Sequence, residues 1–264
     1  MPRKKTPSGS PSLPVLYCHC ARGGPIEEEK KKNFLRKLFQ LSIPFDAVPD
    51  LCFLAERKRS PLGRYNFFIA CYERAVRSLL EVEAAEAKVF NMRTESPADS
   101  LDFLKEVPVG DSANRIGEKE QVTVFFAGPQ KDGVELLFSA LLNLGLHVSW
   151  RPLGDLFLAE GPLVVVGEER KVKISGASLF VGEFKDNFDL IEACSRAAAE
   201  LGWRRNDPWI SWYPVIDRTR CNNCGKCLEF CLFQVFSRED AGRIVVKNPR
   251  NCKTNCPACA RVCP

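Results

Sequence analysis

Cys221-Asn222-Asn223-Cys224-Gly225-Lys226-Cys227-Leu228-Glu229-Phe230-Cys231 and, further on, Cys252-Lys253-Thr254-Asn255-Cys256-Pro257-Ala258-Cys259-Ala260-Arg261-Val262-Cys263-Pro264 place eight of thirteen cysteines in the last 44 residues. The runs read C-x2-C-x2-C-x3-C and C-x3-C-x2-C-x3-C-P, which is the ligand spacing of a module that wraps two iron–sulfur cubanes. Three closely spaced thiolates on a tight loop can cap three iron corners of one cube. The fourth cysteine, expected to start a helix leading away, reaches only the neighbouring cluster. Pro264 suits such a helix start, because its missing N–H would be unsatisfied there anyway. Two zinc sites are the competing reading. Zinc modules pair two Cys-x2-Cys units across a longer interval, and four cysteines within 11 or 12 residues make poor separate tetrahedra. A disulfide framework fits less well. Met1 to Ser10 is basic and lacks the apolar core of a signal peptide, and clustered cysteines in a reducing compartment serve metal or redox chemistry.

The region resembles the dicluster ferredoxin family, with residues 221–231 as one half and 251–264 as the other. The resemblance implies a small α+β module. It assigns Cys221, Cys224, Cys227 and Cys263 to cluster one, and Cys252, Cys256, Cys259 and Cys231 to cluster two. Gly225 falls where backbone must pass close to sulfide. Three features depart from the family. Leu232 stands where a proline is usual, and the second run opens with three residues between ligands, so its loop must bulge or relax. The chain stops at Pro264, where the family continues into a short helix and a closing strand, so the module reads as truncated at its carboxyl end.

Upstream, residues 203–217 carry Trp203, Trp209, Trp212 and Tyr213. These aromatics are expected to anchor the module to the α/β unit before it, since large aromatics dominate interface burial. Shielding a cluster from water is the other role open to them. From Trp203 onward eleven Lys/Arg stand against five Asp/Glu, a local charge of +6 within a chain of +5. Eight thiolates exceed the charge of two cubane cores, so Arg220, Lys226, Lys253 and Arg261 read as offsetting that excess rather than binding nucleic acid.

The rest of the chain divides by composition. Residues 1–13 are a Pro/Ser/Gly-rich basic tail. Residues 14–93 alternate short apolar runs with helical periodicity: strands over 15–18, 45–48, 66–70 and 88–92, and helices over 27–41, 50–59 and 72–86, with Asp50 as an N-cap. Residues 94–120 read as a polar linker with room for one short helix. A second unit, 121–202, has strands over 121–127, 146–152, 161–167 and 172–180 and helices over 132–144 and 187–201. The fold class expected is therefore α/β: two small parallel-sheet units followed by the dicluster module at 203–264. The units share no motif that would mark a sequence repeat.

Four further cysteines, Cys18, Cys20, Cys52 and Cys71, fall where strands end or helices begin. In an open parallel sheet the carboxyl ends of the strands line one crevice, so these thiols should converge. Val15–Cys20, Asp50–Cys52 and Ala70–Val76 resemble the amino-terminal cluster domain of the heterodisulfide reductase family. That resemblance implies a third iron–sulfur cluster. A redox-active Cys18/Cys20 dithiol and ordinary buried cysteines remain open beside it. His19, between two cysteines, reads as exposed; Cys194, mid-helix among alanines, reads as core; His147 has no visible partner.

Two histidines, and no paired-carboxylate or Ser/His/Asp site, leave little for acid–base catalysis. Phe125-Phe126-Ala127-Gly128-Pro129-Gln130 lacks both the G-x-G-x-x-G and Walker patterns, so a flavin phosphate contact there is a weak reading. The longest apolar run, around residues 161–167, is too short for a membrane span, which needs about 20 residues. The chain therefore reads as a cytoplasmic iron–sulfur electron carrier or redox subunit. The expected partner is a flavoprotein, hydrogenase or disulfide-reductase-like enzyme. Two alternatives are a thiol/disulfide oxidoreductase working at the front cysteines and a structural metal-binding interaction module.

Overall fold

The computed structural model describes residues 15–22, 25–56, 65, 67–79, 87–106, 115–117, 121–128, 133–152, 156–167, 172–182, 186–205 and 209–264. The tail expected over 1–13, the ends of the helices expected over 50–59 and 72–86, and much of the 94–120 linker lie outside them.

The first unit runs β1 (Val15–Cys18), α1 (Glu28–Gln40), β2 (Phe45–Val48), α2 (Leu51–Glu56), β3 (Phe67–Ala70), α3 (Glu73–Leu79), β4 (Lys88–Asn91) and α4 (Ser100–Lys105). After β5 (Arg115–Ile116) come β6 (Thr123–Ala127), α5 (Val134–Leu144), β7 (His147–Arg151), β8 (Phe157–Ala159), β9 (Leu163–Val166), β10 (Ile174–Ser175), β11 (Ser178–Val181) and α6 (Asn187–Glu200). The carboxyl-terminal module adds α7 (Lys226–Phe230), β12 (Phe236–Arg238), β13 (Ile244–Val246) and α8 (Ala258–Val262).

The two units share one sheet. Its order is β11-β9-β6-β7-β2-β1-β3-β4, parallel within each half and antiparallel only where β2 meets β7. Read outward from that junction, both halves place their second strand first, then the first, third and fourth principal strands. The topology is thus duplicated although the sequence shows no repeat. The junction relates the halves by an approximate two-fold, so their carboxyl edges face opposite ends of the sheet. Helices α1 and α5, each linking the first two strands of its half, pack side by side across it. Phe39 and Phe138 meet edge-on at 4.9 Å there, and Arg36 pairs with Glu135 at 2.9 Å.

Strand side chains alternate between faces, so a buried parallel sheet needs apolar residues on both. Val15 and Tyr17 point into the main core beneath α1, α5 and α6, and Leu16 and Cys18 into a second core with Leu51, Leu54 and Val76. In the second half the corresponding layer is β5-β8-β10, a three-stranded sheet that sequence periodicity does not reveal. It covers Phe125, Leu163 and Val165. The single strand expected over 172–180 is broken into β10 and β11 at Gly176. That residue has φ of +125°, and a Cβ there would lie 2.7 Å from the Cβ of Ala159. Only glycine fits so close an approach.

Buried polar groups fix the β2/β7 junction. Arg151, fully buried, donates to Asp46 at 2.7 Å and to the carbonyls of Phe45 and Trp150 at 2.8 and 2.9 Å. Tyr65 donates to the other Asp46 oxygen at 2.7 Å, and Ser149 also donates to this carboxylate. A one-residue slip of β7 would break the bonds that Arg151 and Ser149 make to Phe45 and Asp46 of β2.

Candidate metal centres

The carboxyl-terminal module is built twice over on one plan. Each run crosses a loop, forms a five-residue helix and ends in an extended cysteine, Cys231 after α7 and Cys263 after α8. The residue before the second cysteine of each run is left-handed, Asn223 at φ +58° and Asn255 at +62°. Asparagine tolerates this conformation better than most residues. The extra residue of the second run sits in a turn closed by the Cys256 N–H to the Lys253 carbonyl at 3.1 Å. One expectation is corrected. The helices precede the fourth cysteines instead of starting at them, and Pro264 follows extended backbone. The reason lies in the spacing: C-x3-C is one helical turn, entered at Gly225 or Pro257, and the extended fourth cysteine turns the chain out of it.

Packing α7 against α8 brings the second half's sulfurs together. Cys231, Cys252, Cys256 and Cys259 line one cavity of about 290 Å³, walled otherwise by Glu229 and by apolar side chains that include Val235 and Phe236. Burial pushes the Cys252 thiol up, and the neighbouring Cys259, Cys256 and Cys231 push it further. Cys221 and Cys224 act likewise on Cys227, whose thiol burial already raises. Cys224 and Cys263 are exposed at the module surface. Sets of soft thiolates that repel one another in a half-apolar cavity suit a polynuclear cationic core. The donor chemistry fits an iron–sulfur cluster.

The front cysteines also converge. Strand β1 lies between β2 and β3, so the chain ends that follow these three strands adjoin. Cys18 closes β1 and accepts from the Leu51 N–H at 3.4 Å. Asp50 caps α2, accepting from the N–H groups of Cys52 and Phe53 at 3.0 and 3.3 Å. Cys20 is left-handed at φ +52°, with its carbonyl held by the Lys31 ammonium at 3.2 Å. A hydrogen bond between the Cys20 and Cys71 side chains pushes the first thiol up and the second down. Burial, then Asp50 and neighbouring sulfurs, raise Cys18 and Cys52. The nest therefore joins four sulfurs and one carboxylate. Among the described residues, no three His, Cys, Asp or Glu side chains close on one point tightly enough to hold a single metal ion.

His19 is not exposed, as its place between cysteines suggests, but fully buried. Its Nδ1 meets the Tyr17 hydroxyl at 3.3 Å and its Nε2 the Ser139 hydroxyl at 3.2 Å, so both ring nitrogens are occupied. Burial lowers its pKa to about 4, and the ring is neutral. Cys194 is core, its thiol pushed up to about 12 by burial. Of the residues weighed as a phosphate contact, Phe125 and Phe126 are core, Gly128 accepts from the Trp150 indole at 3.0 Å, and Pro129 and Gln130 lie outside the described residues.

The aromatic stretch takes a different partner from the one expected. Trp203 packs on the main core, but Trp209 and Tyr213 lie against the first unit. These two rings stack on each other at 6.0 Å, and Trp209 also meets Phe53 of α2 at 6.0 Å. Tyr213 donates to the Cys52 carbonyl, Arg74 pairs with Asp217 at 2.6 Å, and Arg250 pairs with Glu56 at 2.9 Å. Arg250 also covers the Trp209 ring at 4.7 Å. No sequence signal pointed to Glu56, Arg74 or Arg250. The module thus seats beside the front cysteine nest, through residues flanking Cys52 and Cys252.

Residues 213–264 match the family described as the 4Fe–4S dicluster domain. An uncharacterized ferredoxin of Methanocaldococcus jannaschii is 50% identical over 64 residues, which cover 24% of this chain and 42% of that protein. The chain thus spans less than half the length of that relative. No solved structure matches. Among the described residues, no helix is long and apolar enough to cross a membrane. The carboxyl-terminal segment is accordingly a dicluster ferredoxin-type domain, with two 4Fe–4S clusters as its cofactors.

Proposed function

We propose that the chain is an electron-transfer protein with three iron–sulfur sites in series. It is organised as two α/β units, 14–93 and 121–202, and the module 203–264. Cys221, Cys224, Cys227 and Cys263 hold cluster one; Cys231, Cys252, Cys256 and Cys259 hold cluster two. Cys18, Cys20, Cys52 and Cys71 hold a third site. The clusters, when bound, supply reversible one-electron chemistry.

The observation that carries this reading is the seam between the dicluster module and the front nest. Arg250 and Tyr213 grip α2, the helix that bears Cys52, and Arg250 lies two residues before Cys252. The chain leading into each cysteine run therefore meets the first unit, Asp217 before Cys221 and Arg250 before Cys252, while Cys224 and Cys263 are exposed. Lys31 and Arg22 supply fixed positive charge and hydrogen bonds around the front loops, Lys31 to the Cys20 carbonyl and Arg22 to the Trp209 carbonyl at 3.0 Å. The resemblance of the front motifs to a heterodisulfide reductase cluster domain points to a flavoprotein, hydrogenase or disulfide-reductase-like enzyme as the redox partner, in the cytoplasm.

Iron, sulfide and zinc per chain on anaerobically purified protein, with EPR before and after dithionite, test this. More than eight irons per chain, falling to about eight in C71A, supports the three-site relay. Eight irons in both proteins confines electron transfer to the carboxyl-terminal module. Zinc without a reducible signal overturns the function.

A further inference from the structure

The module's positive charge is unevenly engaged. Arg243 pairs with Glu239 at 2.8 Å, Arg250 pairs with Glu56, and Arg218 and Arg238 donate to backbone carbonyls. Lys226 of α7 and Arg261 of α8 are exposed, and neither has a carboxylate partner among the described residues. The two helices pack together, and Lys226 shares a groove with Phe230, Glu229 and Val262. Phe230, 59% exposed, joins this groove to the mouth of the cavity lined by Cys231, Cys252, Cys256 and Cys259, where Leu232 is 90% exposed. Exposed Cys224 lies two residues before Lys226, and exposed Cys263 two after Arg261. Arg220, also exposed, precedes Cys221.

We infer that this face is the docking surface for a redox protein whose cofactor opening is ringed by acidic side chains. The inference rests on the electron-carrier reading and names its partner's chemistry. Phe230 and Leu232 supply an apolar centre of the kind found at interface cores, and Lys226 and Arg261 a cationic rim. Rim charges of one sign steer a partner of the other and speed encounter, and salt weakens that steering. Among the described residues Glu229 is the single carboxylate lining the Lys226 groove, and two oxidised clusters with their thiolates, about −4 in all, leave the module's +6 in positive excess. The module's clusters, when bound, would exchange one electron with the partner's cofactor at this face. One centre is oxidised and the other reduced, with no bond or proton transferred.

The test is equilibrium binding of the oxidised, cluster-loaded chain to two probes, an acidic flavodoxin and the basic cytochrome c. The dissociation constant for flavodoxin is expected to rise at least fivefold between low and physiological salt, and at least tenfold in K226E/R261E. K105E/R196E, an equal charge change on α4 and α6, is expected to leave it within twofold. Carbodiimide coupling of Lys226 to a flavodoxin carboxylate provides a second readout and is expected to disappear in K226Q. Preference for cytochrome c, salt-independent binding, or an unchanged constant in K226E/R261E with full iron content would overturn the assignment. Dithionite-reduced EPR on the same samples separates the two ideas. Reducible clusters without flavodoxin binding sink only the docking surface, whereas clusters that cannot be reduced sink the carrier reading itself.

Discussion

The hydroxyl of Tyr213 donates a 2.6 Å hydrogen bond to the backbone carbonyl of Cys52, joining the dicluster module to the helix that carries a front cysteine. The bond is largely shielded from water, and burial holds the phenol well above its ordinary pKa. Y213F removes the bond and leaves the ring stacked on Trp209. Its expected cost is about 1 kcal/mol. The loss should be local, so hydrogen exchange at the amides of α2 should quicken while total iron stays constant. Combining Y213F with E56Q, which breaks the Arg250 pair across the same seam, should cost more or less than the sum of the two by at least about 0.5 kcal/mol. Strict additivity in urea denaturation would mean that the two contacts do not form one seam.

At the β2/β7 junction buried Arg151 answers the half-buried Asp46 carboxylate, so removing it leaves Asp46 without its cation. R151M is expected to destabilise the chain by about 3–5 kcal/mol, because the uncompensated charge costs more than the pair contributes. Y65F removes one neutral donor from the same carboxylate and should cost about 1 kcal/mol. D46N with R151M should recover part of the loss. Urea midpoints of the four proteins decide this, and an R151M no worse than Y65F would show that Asp46 finds water instead.

Gly225 sits in the first cysteine loop at φ +87°, and a Cβ there would come 2.5 Å from Nη2 of Arg238. Arg238 in turn holds the carbonyls of Asn223 and Gly242 at 3.2 and 2.9 Å, closing that loop onto the β12–β13 hairpin. G225A therefore combines about 1–2 kcal/mol of left-handed strain with displacement of Arg238. Chelator challenge should release about half of the module's iron faster, the half assigned to cluster one. Adding R238A removes the collision but not the strain, so it should restore only part of the stability. Full restoration would show that the backbone angle costs nothing here.

Local signals in the sequence carried most of the α/β architecture, and long-range contacts did not. Strands over 15–18 and 45–48 were legible to the residue, because short runs that are apolar at every position but Asp46 leave little choice. The convergence of Cys18, Cys52 and Cys71 was legible for the same reason: parallel topology alone brings the ends of neighbouring strands together. The join of β2 to β7 was not, since no hairpin connects them and Asp46 and Arg151 are 105 residues apart. Tyr213 could not be matched to Cys52, 161 residues away, so the aromatic stretch pointed to the nearer unit. His19 looked exposed because its partner Ser139 lies 120 residues on, across the α1/α5 contact. In the dicluster module the thiol spacing itself carried the site, because the ligands are local in sequence by construction.

His147 gives the fold a pH dependence of known sign. Burial holds its ring at a pKa of about 4 against an ordinary 6.5, with the nearby Asp46 carboxylate pulling the other way. Native protein therefore keeps this ring neutral where the unfolded chain has begun to bind a proton. Between pH 6.5 and about 4 the unfolded state binds more protons, so stability is complete above that window and falls as pH drops through it. The loss from pH 7 to pH 5 is at most about 2 kcal/mol, and less in proportion to the ring's partial exposure. H147Q keeps a neutral polar side chain and removes the proton, so its urea midpoint should fall less than wild type over the same interval. Some slope will remain, because His19 is depressed in the same direction. Equal slopes in the two proteins would show that His147 reaches water through the edge of β7 and titrates alike in both states.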